Sequence, residues 1–303
     1  MYKFNDYLRA CREALNLTQN ELVSNLIGLS KDFSSLDTTT LSRWERGVSK
    51  PTVAKQTLII DYFSKQLNGA LPLVGSVKEC EIQASLCPDE FSKLFGQNTH
   101  QVMKFPTHHI ESSEFKVVKF VESELKSEAL SKHQHVFEGL CNIPLDLEQI
   151  QAFSLNSSNL FLICEYQEQY FGHLFVLRLK PDALDDLLNF RRTVHSLNGD
   201  DIAGIDEVAS LYFFGAFAMS DEVISKLFIH FYTYLIKGQE LIQDLGSIVL
   251  TKDGHQWALN MNMQLEATMA FGDYSGYKGS INRVLNNQML VKMLFNAENG
   301  AKT

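Results

Sequence analysis

The sequence predicts an α+β multidomain protein: an N-terminal all-α bundle over residues 1–67, a connecting segment over 68–113 and a mixed α/β domain over 114–303. Three observations lead there. The first 67 residues read as four short helices with capping residues between them. From about Glu114 onward, helix-like and strand-like segments alternate, which is the pattern of a mixed α/β domain. Charge also changes sign along the chain. Residues 1–65 hold nine Lys/Arg against seven Asp/Glu, a net of +2, while the rest is net −11 in a chain that is −9 overall. A small, slightly basic head on an acidic body suits a nucleic-acid partner for the head.

The first helix runs from Phe4 to about Leu15, because Leu8, Cys11 and Leu15 recur at helical spacing. Asn16 follows where the chain reverses, a position that favours Gly or Asn because φ is often positive there. Thr18 and Glu21 form a Thr-x-x-Glu capping box for a second helix, whose buried face is Leu22, Val23 and Leu26. The segment "GLSKDFSS" (28–35) reads as a loop. Asp37 is a natural N-cap for a third helix, Thr38 to about Arg46, which Gly47 ends and Pro51 keeps from continuing. A fourth helix covers 52–67, presenting Val53, Leu58, Ile59 and Phe63. "NGALPLVGS" (68–76) reads as a linker. Beyond it, "CPDEFSKLF" looks helical and "QVMKFPTHHIESSEF" irregular.

In the second domain, "LFLICEY" (160–166) and "YFGHLFVLRLK" (170–180) flank a short hairpin connection, and Pro181 stops the second strand. A helical segment over 182–197 follows. "SLYFFGAFAM" (210–219) is apolar throughout, as a strand covered on both faces would be. Next come a helix over 221–237, a buried strand over 246–251 and a short helix over 255–261. "LEATMAFGD" and "NQMLVKMLF" read as closing strands.

One stretch carries chemistry. "LDTTTLSRWERGVSKP" (36–51) opens a helix on three threonines, which are poor helix formers because they branch at Cβ. Small hydroxyl side chains at a helix start make sense where the helix approaches something polar and flat. Together with "LRACREALNLTQNEL", this stretch resembles the Cro/C1-type (XRE family) helix-turn-helix domain of DNA-binding regulators. The matched positions are Arg12, Leu17-Thr18-Gln19, Ser42-Arg43-Trp44-Glu45-Arg46-Gly47 and Pro51. The resemblance covers about one fifth of the chain. It implies a recognition helix whose Thr38, Thr39, Ser42 and Arg43 face the major groove. Threonine can bond base edges, and arginine can take a guanine through two hydrogen bonds. Thr18 and Gln19 at the start of the second helix are placed for phosphate oxygens. Leu41 and Trp44 belong to the core, and the family pattern pairs Glu45 with Arg12 as a strut. The 18 positions from Leu26 to Trp44 exceed the usual family spacing, with the excess around "IGLSKDFSS", where Lys31 gains reach toward a phosphate.

From about residue 115 the element order resembles the GNAT acetyltransferase fold. That family binds the acyl-CoA pyrophosphate on a glycine-containing loop at a helix start. Here the corresponding "FAMSDEVIS" (217–225) has no glycine and sets Asp221 and Glu222 in the first turn, where their charge repels a phosphate. The expected role is therefore dimerisation and effector sensing, with no catalytic residue and no cofactor.

Other function classes recede. No apolar run approaches the ~20 residues of a bilayer span, and the N-terminal residues lack an apolar signal core, which predicts a cytoplasmic protein. Five scattered cysteines form no C-x-x-C pair; Cys11 and Cys164 read as buried small hydrophobes. "THH" (107–109) and "HQH" (133–135) are too short to define a metal site, so their histidines read as surface or structural. Tyr170, Phe171, Phe175, Tyr212, Phe213, Phe214, Phe217 and Phe231 make an aromatic interior, either plain core or a pocket for an apolar ligand. The expected partners are double-stranded DNA, a second copy of the chain and an effector of unknown identity. Two alternatives stay open: a DNA-tethered acyltransferase and a protein-docking helix-turn-helix module.

Overall fold

The computed structural model describes residues 3–86, 110, 114–141, 145–269 and 274–296. In chain order the helices of the opening segment are α1 (Phe4–Ala14), α2 (Gln19–Leu29), α3 (Thr38–Glu45), α4 (Val53–Leu67) and α5 (Glu79–Ser85). Then follow β1 (Lys116–Lys119), α6 (Lys126–Cys141), α7 (Leu147–Leu155), β2 (Leu160–Tyr166), β3 (Gln169–Leu179) and α8 (Pro181–Leu188). The chain continues with β4 (Ala209–Ala218), α9 (Asp221–Gly238), β5 (Ile242–Val249), α10 (Lys252–Asn260), β6 (Gln264–Thr268) and β7 (Ser275–Ser280). Two helices close it, α11 (Ile281–Leu285) and α12 (Gln288–Asn296). The fold is mixed α/β and divides into two compact units. One comprises Met1–Cys87, Thr233–Glu240 and Ile281–Thr303, the other Pro88–Tyr232 and Leu241–Ser280.

In the first unit the local signals act as expected. Tyr7, Leu8 and Cys11 are fully buried along α1, and Asn16 reverses the chain at φ 54°. Thr18 and Glu21 complete the capping box: the Thr18 hydroxyl accepts from the Glu21 N–H at 3.2 Å, and the Glu21 carboxylate accepts from the Thr18 N–H at 2.7 Å. The Asp37 carboxylate accepts from the Thr40 N–H at 2.6 Å to start α3, and Gly47 ends it at φ 70°. The expected loop over 28–35 is shorter than the sequence suggests. Helix α2 runs to Leu29, and Lys31–Phe33 form a 3₁₀ turn capped by Ser30. Phe33 is fully buried and Leu36 nearly so; the extra residues feed apolar side chains inward instead of looping out.

The division departs from the expected 1–67, 68–113 and 114–303. Ala70 and Leu71, expected in a linker, are fully buried, and the Gln239 carboxamide bonds both the N–H and the carbonyl of Leu71. The segment "NQMLVKMLF" is helical, not a closing strand. The Asn287 side chain accepts from the Leu290 N–H at 2.8 Å as a helix cap, and Leu290, Val291, Leu294 and Phe295 are buried at helical spacing. Helix α12 packs on α4 and α5, and the Phe295 ring meets Phe4 edge-on at 5.4 Å and Tyr7 at 5.3 Å. Of the uncertain region, residues 87–109 lie outside the described residues, including "CPDEFSKLF" and "THH".

Among the described residues the second unit is built on a seven-stranded sheet of order β1-β2-β3-β4-β5-β7-β6. All neighbours are antiparallel except β4 and β5. A right-handed crossover helix is the usual way to join parallel neighbours, and α9 occupies that place in the chain. The hairpin between β2 and β3 turns on Gln167 and Glu168 with φ of 47° and 60°. The helical segment expected over 182–197 stops at Leu188, because Phe190 takes a left-handed φ of 56° and only a 3₁₀ turn, Val194–Ser196, follows. Strand β5 begins at Ile242, ahead of the expected 246, because Ile242 and Leu245 pair with Ala209 and Leu211. Helices α6 and α8 cover one face, over a core that includes Phe161, Phe175, Tyr212 and Phe214. On the sheet's other face Phe213 packs against Phe228, Phe231 and Trp257.

Candidate functional site

Each side chain expected to face DNA has a definite place. Thr39 and Arg43 are exposed, and Thr38 and Ser42 half-buried; with residues three and four apart on α3 they lie along one side of it. The other side of α3 carries Leu41, Trp44 and Glu45, all buried. The Glu45 carboxylate takes the Arg12 guanidinium through two hydrogen bonds, at 2.6 and 3.2 Å, as the family pattern implies. Gln19 differs from expectation: its carboxamide donates to the same Glu45 carboxylate at 2.7 Å, which ties it into the strut joining α1, α2 and α3. The Thr38 hydroxyl donates to the Asn20 side chain at 2.6 Å, linking the starts of α2 and α3. Thr18 is exposed, with its hydroxyl engaged in the capping box. Arg46, Lys50 and Lys31 are exposed as well. The Thr18 N–H and hydroxyl lower the Glu21 carboxyl pKa, and the Thr40 hydroxyl and N–H lower that of Asp37. Both caps therefore stay ionised through the neutral range.

The second unit holds two features that bear on ligands. First, β4 and β5 pair only at Ala209–Ile242, Leu211–Leu245 and Tyr212–Gly246. Past Tyr212 they have no ladder between them, although β4 runs on to Ala218 and β5 to Val249. The Ser247 hydroxyl donates to the Phe213 carbonyl at 2.9 Å just past the last pair. Residues Gly215–Ala218 are half-buried where the first six residues of β4 are buried. Parted parallel strands leave two rows of backbone groups without a ladder partner, which an extended ligand can use. At the carboxyl end of β4, the Ser220 hydroxyl accepts from the Val223 N–H at 3.3 Å, so the helix caps its own start.

Second, two histidines forty residues apart meet inside the unit. His133 from α6 and His173 from β3 are both buried, with His133 Nδ1 at 3.0 Å from His173 Nε2. Tyr170 closes the chain with its hydroxyl on His173 Nδ1. Burial pushes His133 down to about 4 and, with His133 beside it, His173 well below its usual value; burial pushes the Tyr170 phenol up. All three are neutral at neutral pH. The His133 ring is set edge-on against Phe214 at 4.8 Å and Phe175 at 5.4 Å, with Phe161 close by. From the sequence alone His133 reads as a surface or structural histidine, and His173 stands out for nothing. The available signal is a histidine inside the apolar run 170–179, between Phe171 and Phe175 of the expected aromatic interior. His135 is exposed.

Cys11 and Cys164 are buried as expected, and burial pushes each thiol up to about 12, which leaves them inert. Among the described residues no group of three or more His, Cys, Asp or Glu could hold a metal ion, and no described helix is long and apolar enough to cross a membrane.

No family model and no curated protein sequence matches the chain. Solved structures similar to it include the GNAT domain of PAT from S. lividans, at 10% identity and TM-score 0.36 over 55% of this chain and 89% of that one. Another is Arabidopsis thaliana NAA60 in complex with a bisubstrate analogue, at 9% identity and TM-score 0.35 over 55% of this chain and 96% of that one. An uncharacterized protein from Bacillus halodurans has 10% identity and TM-score 0.34 over 59% of this chain and 89% of that one.

Proposed function

We propose that the chain is a sequence-specific DNA-binding transcriptional regulator. It acts as a homodimer, with the N-terminal helices as a Cro/C1-type helix-turn-helix reading duplex DNA. The α/β unit then serves dimerisation and effector sensing. One observation carries the reading: α3 buries Leu41, Trp44 and Glu45 while Thr39 and Arg43 stay in solvent and Thr38 and Ser42 stay partly open. The Arg12–Glu45–Gln19 network supports it, since a recognition helix needs a fixed seat. In this reading Gln19 seats the helix, and any phosphate contact it makes uses its second carboxamide N–H or its backbone N–H. One such helix reads half a site, and a second copy supplies the other half. Selection from random duplexes should yield a preferred site. Arg43→Ala should weaken that site by roughly 5- to 150-fold while leaving helical content unchanged. A selected sequence that the variant binds as tightly as the native chain does would refute the assignment.

The second reading, a DNA-tethered GNAT-type acyltransferase, is favoured by the parting of β4 and β5, whose open edge suits an extended amide-bearing arm. Against it stands the self-capped, acidic start of α9, without a glycine. Acetyl-CoA discriminates: thioester cleavage or saturable binding would favour the enzyme, and an unchanged melting temperature at saturating acetyl-CoA is the expected result.

A further inference from the structure

The two threonines that open the outward side of α3 differ in what their hydroxyls can still do. Thr39 is exposed, and its hydroxyl has no hydrogen bond among the described residues. It is free to rotate, so it can donate or accept. The Thr38 hydroxyl is committed: it donates to Asn20 Oδ1 at 2.6 Å. A hydroxyl has one proton and two lone pairs, so this bond uses its whole donor capacity and leaves it an acceptor.

Asn20 lies in the first turn of α2 and is exposed. Its Oδ1 is turned to Thr38, and its Nδ2 group has no hydrogen bond among the described residues. In the DNA reading α2 crosses the phosphate backbone, so the outer end of this carboxamide meets phosphate oxygens. Two N–H groups facing outward attract such an oxygen, and a carbonyl facing outward repels it. Binding therefore keeps the carboxamide in its observed setting, with Thr38 as the donor between the pair.

Base edges answer to that polarity. In the major groove the amino groups of adenine and cytosine donate, whereas guanine O6 and N7 and thymine O4 accept. A hydroxyl that can only accept bonds the first kind and sets lone pair against lone pair with the second. We propose that Asn20 is a positioning residue that holds Thr38 as an acceptor, so that Thr38 reads the amino group of adenine or cytosine. The inference rests on the reading of α3 as a recognition helix and adds the polarity with which its first residue meets a base.

The test uses the full chain and selection from random duplexes, read as base preference at each position of the selected site. One position should be restricted to adenine or cytosine on one strand. It should lose that restriction in Thr38→Val, which keeps the side-chain shape and removes the hydroxyl. The native preference there should be roughly 3- to 10-fold, the worth of one hydrogen bond. In Asn20→Ala the hydroxyl is free to rotate and donate, so guanine and thymine should be accepted at this position while the other positions keep their preferences. Asn20→Asp retains an oxygen for the Thr38 proton and sets a negative charge toward the phosphates. It should keep the restriction while losing affinity for the selected site and for unrelated duplexes by the same factor. Circular dichroism checks that each variant is folded. A selected site with no position that responds to Thr38→Val would overturn this inference and leave the recognition helix standing. So would a different restriction at the responding position, its persistence in Asn20→Ala or its loss in Asn20→Asp. Absence of any preferred site for the native chain would overturn the DNA reading itself, and this inference with it.

Discussion

At the scale of residues, the neutral histidine pair ties the stability of the second unit to pH. Both rings have folded-state pKa values below the ordinary 6.5, with His133 at about 4. The unfolded chain therefore binds more protons as pH drops below 6.5, and stability falls in that direction. The contribution is fully present above about pH 6.5 and is lost as pH falls toward 4. Each ring steepens the loss by up to about 1.4 kcal/mol per pH unit. The urea midpoint of the second unit should drop between pH 7 and pH 5, and His133→Phe, starting from a lower midpoint, should drop less steeply. A midpoint flat across that range would show that the rings are charged or solvated. The carboxylates facing this region matter too: Glu128 lies near enough to Tyr170 to raise its pKa, so Glu128→Gln belongs in the same series.

At the scale of elements, caps and turns decide where segments begin and end. The hairpin joining β2 to β3 needs left-handed backbone at Gln167 and Glu168, which Asn-Gly supplies at less cost than Gln-Glu. Glu168→Gly should therefore raise the stability of the second unit by up to about 1 kcal/mol, seen as a higher midpoint with an unchanged slope in urea. A lower midpoint would mean that the Glu168 side chain stabilises the turn by more than its backbone strain costs. Gly276 is held for the opposite reason: β7 passes so close to the Leu188 carbonyl that any Cβ would collide. Helix α12 illustrates a composition that misleads. "NQMLVKMLF" is apolar enough for a buried strand, but Met and Leu favour helix, and Asn287 caps it.

At the scale of the whole molecule, the N-terminal helices do not close their core alone. Phe295 is 4% exposed and lies against Phe4 and Tyr7, while Gln239 holds Leu71 by two hydrogen bonds. Phe295→Ala should destabilise the first unit by about 3–5 kcal/mol. Under the proposed function it should also weaken duplex-DNA binding at 37 °C, although none of the side chains proposed to face DNA is changed. Thermal unfolding followed by tryptophan fluorescence of the buried Trp44, in a Trp257→Phe background, reads this directly. An unchanged midpoint would mean that residues 1–67 are self-sufficient after all.

Short-range features are readable from the residue order alone. Asn16, Thr18, Asp37 and Gly47 mark helix ends because caps and left-handed turns are settled by neighbouring residues. The Arg12–Glu45 strut was also legible, through the family pattern. What spans long separations was decided only by tertiary structure. Nothing local couples Gln19 to Glu45, His133 to His173, or Phe295 to Phe4, and hydrophobic periodicity identifies a buried face without naming the face it meets. The buried histidine pair belongs to this second class: His133 Nε2 is left without a hydrogen-bond partner among the described residues by the packing of α6 on the sheet.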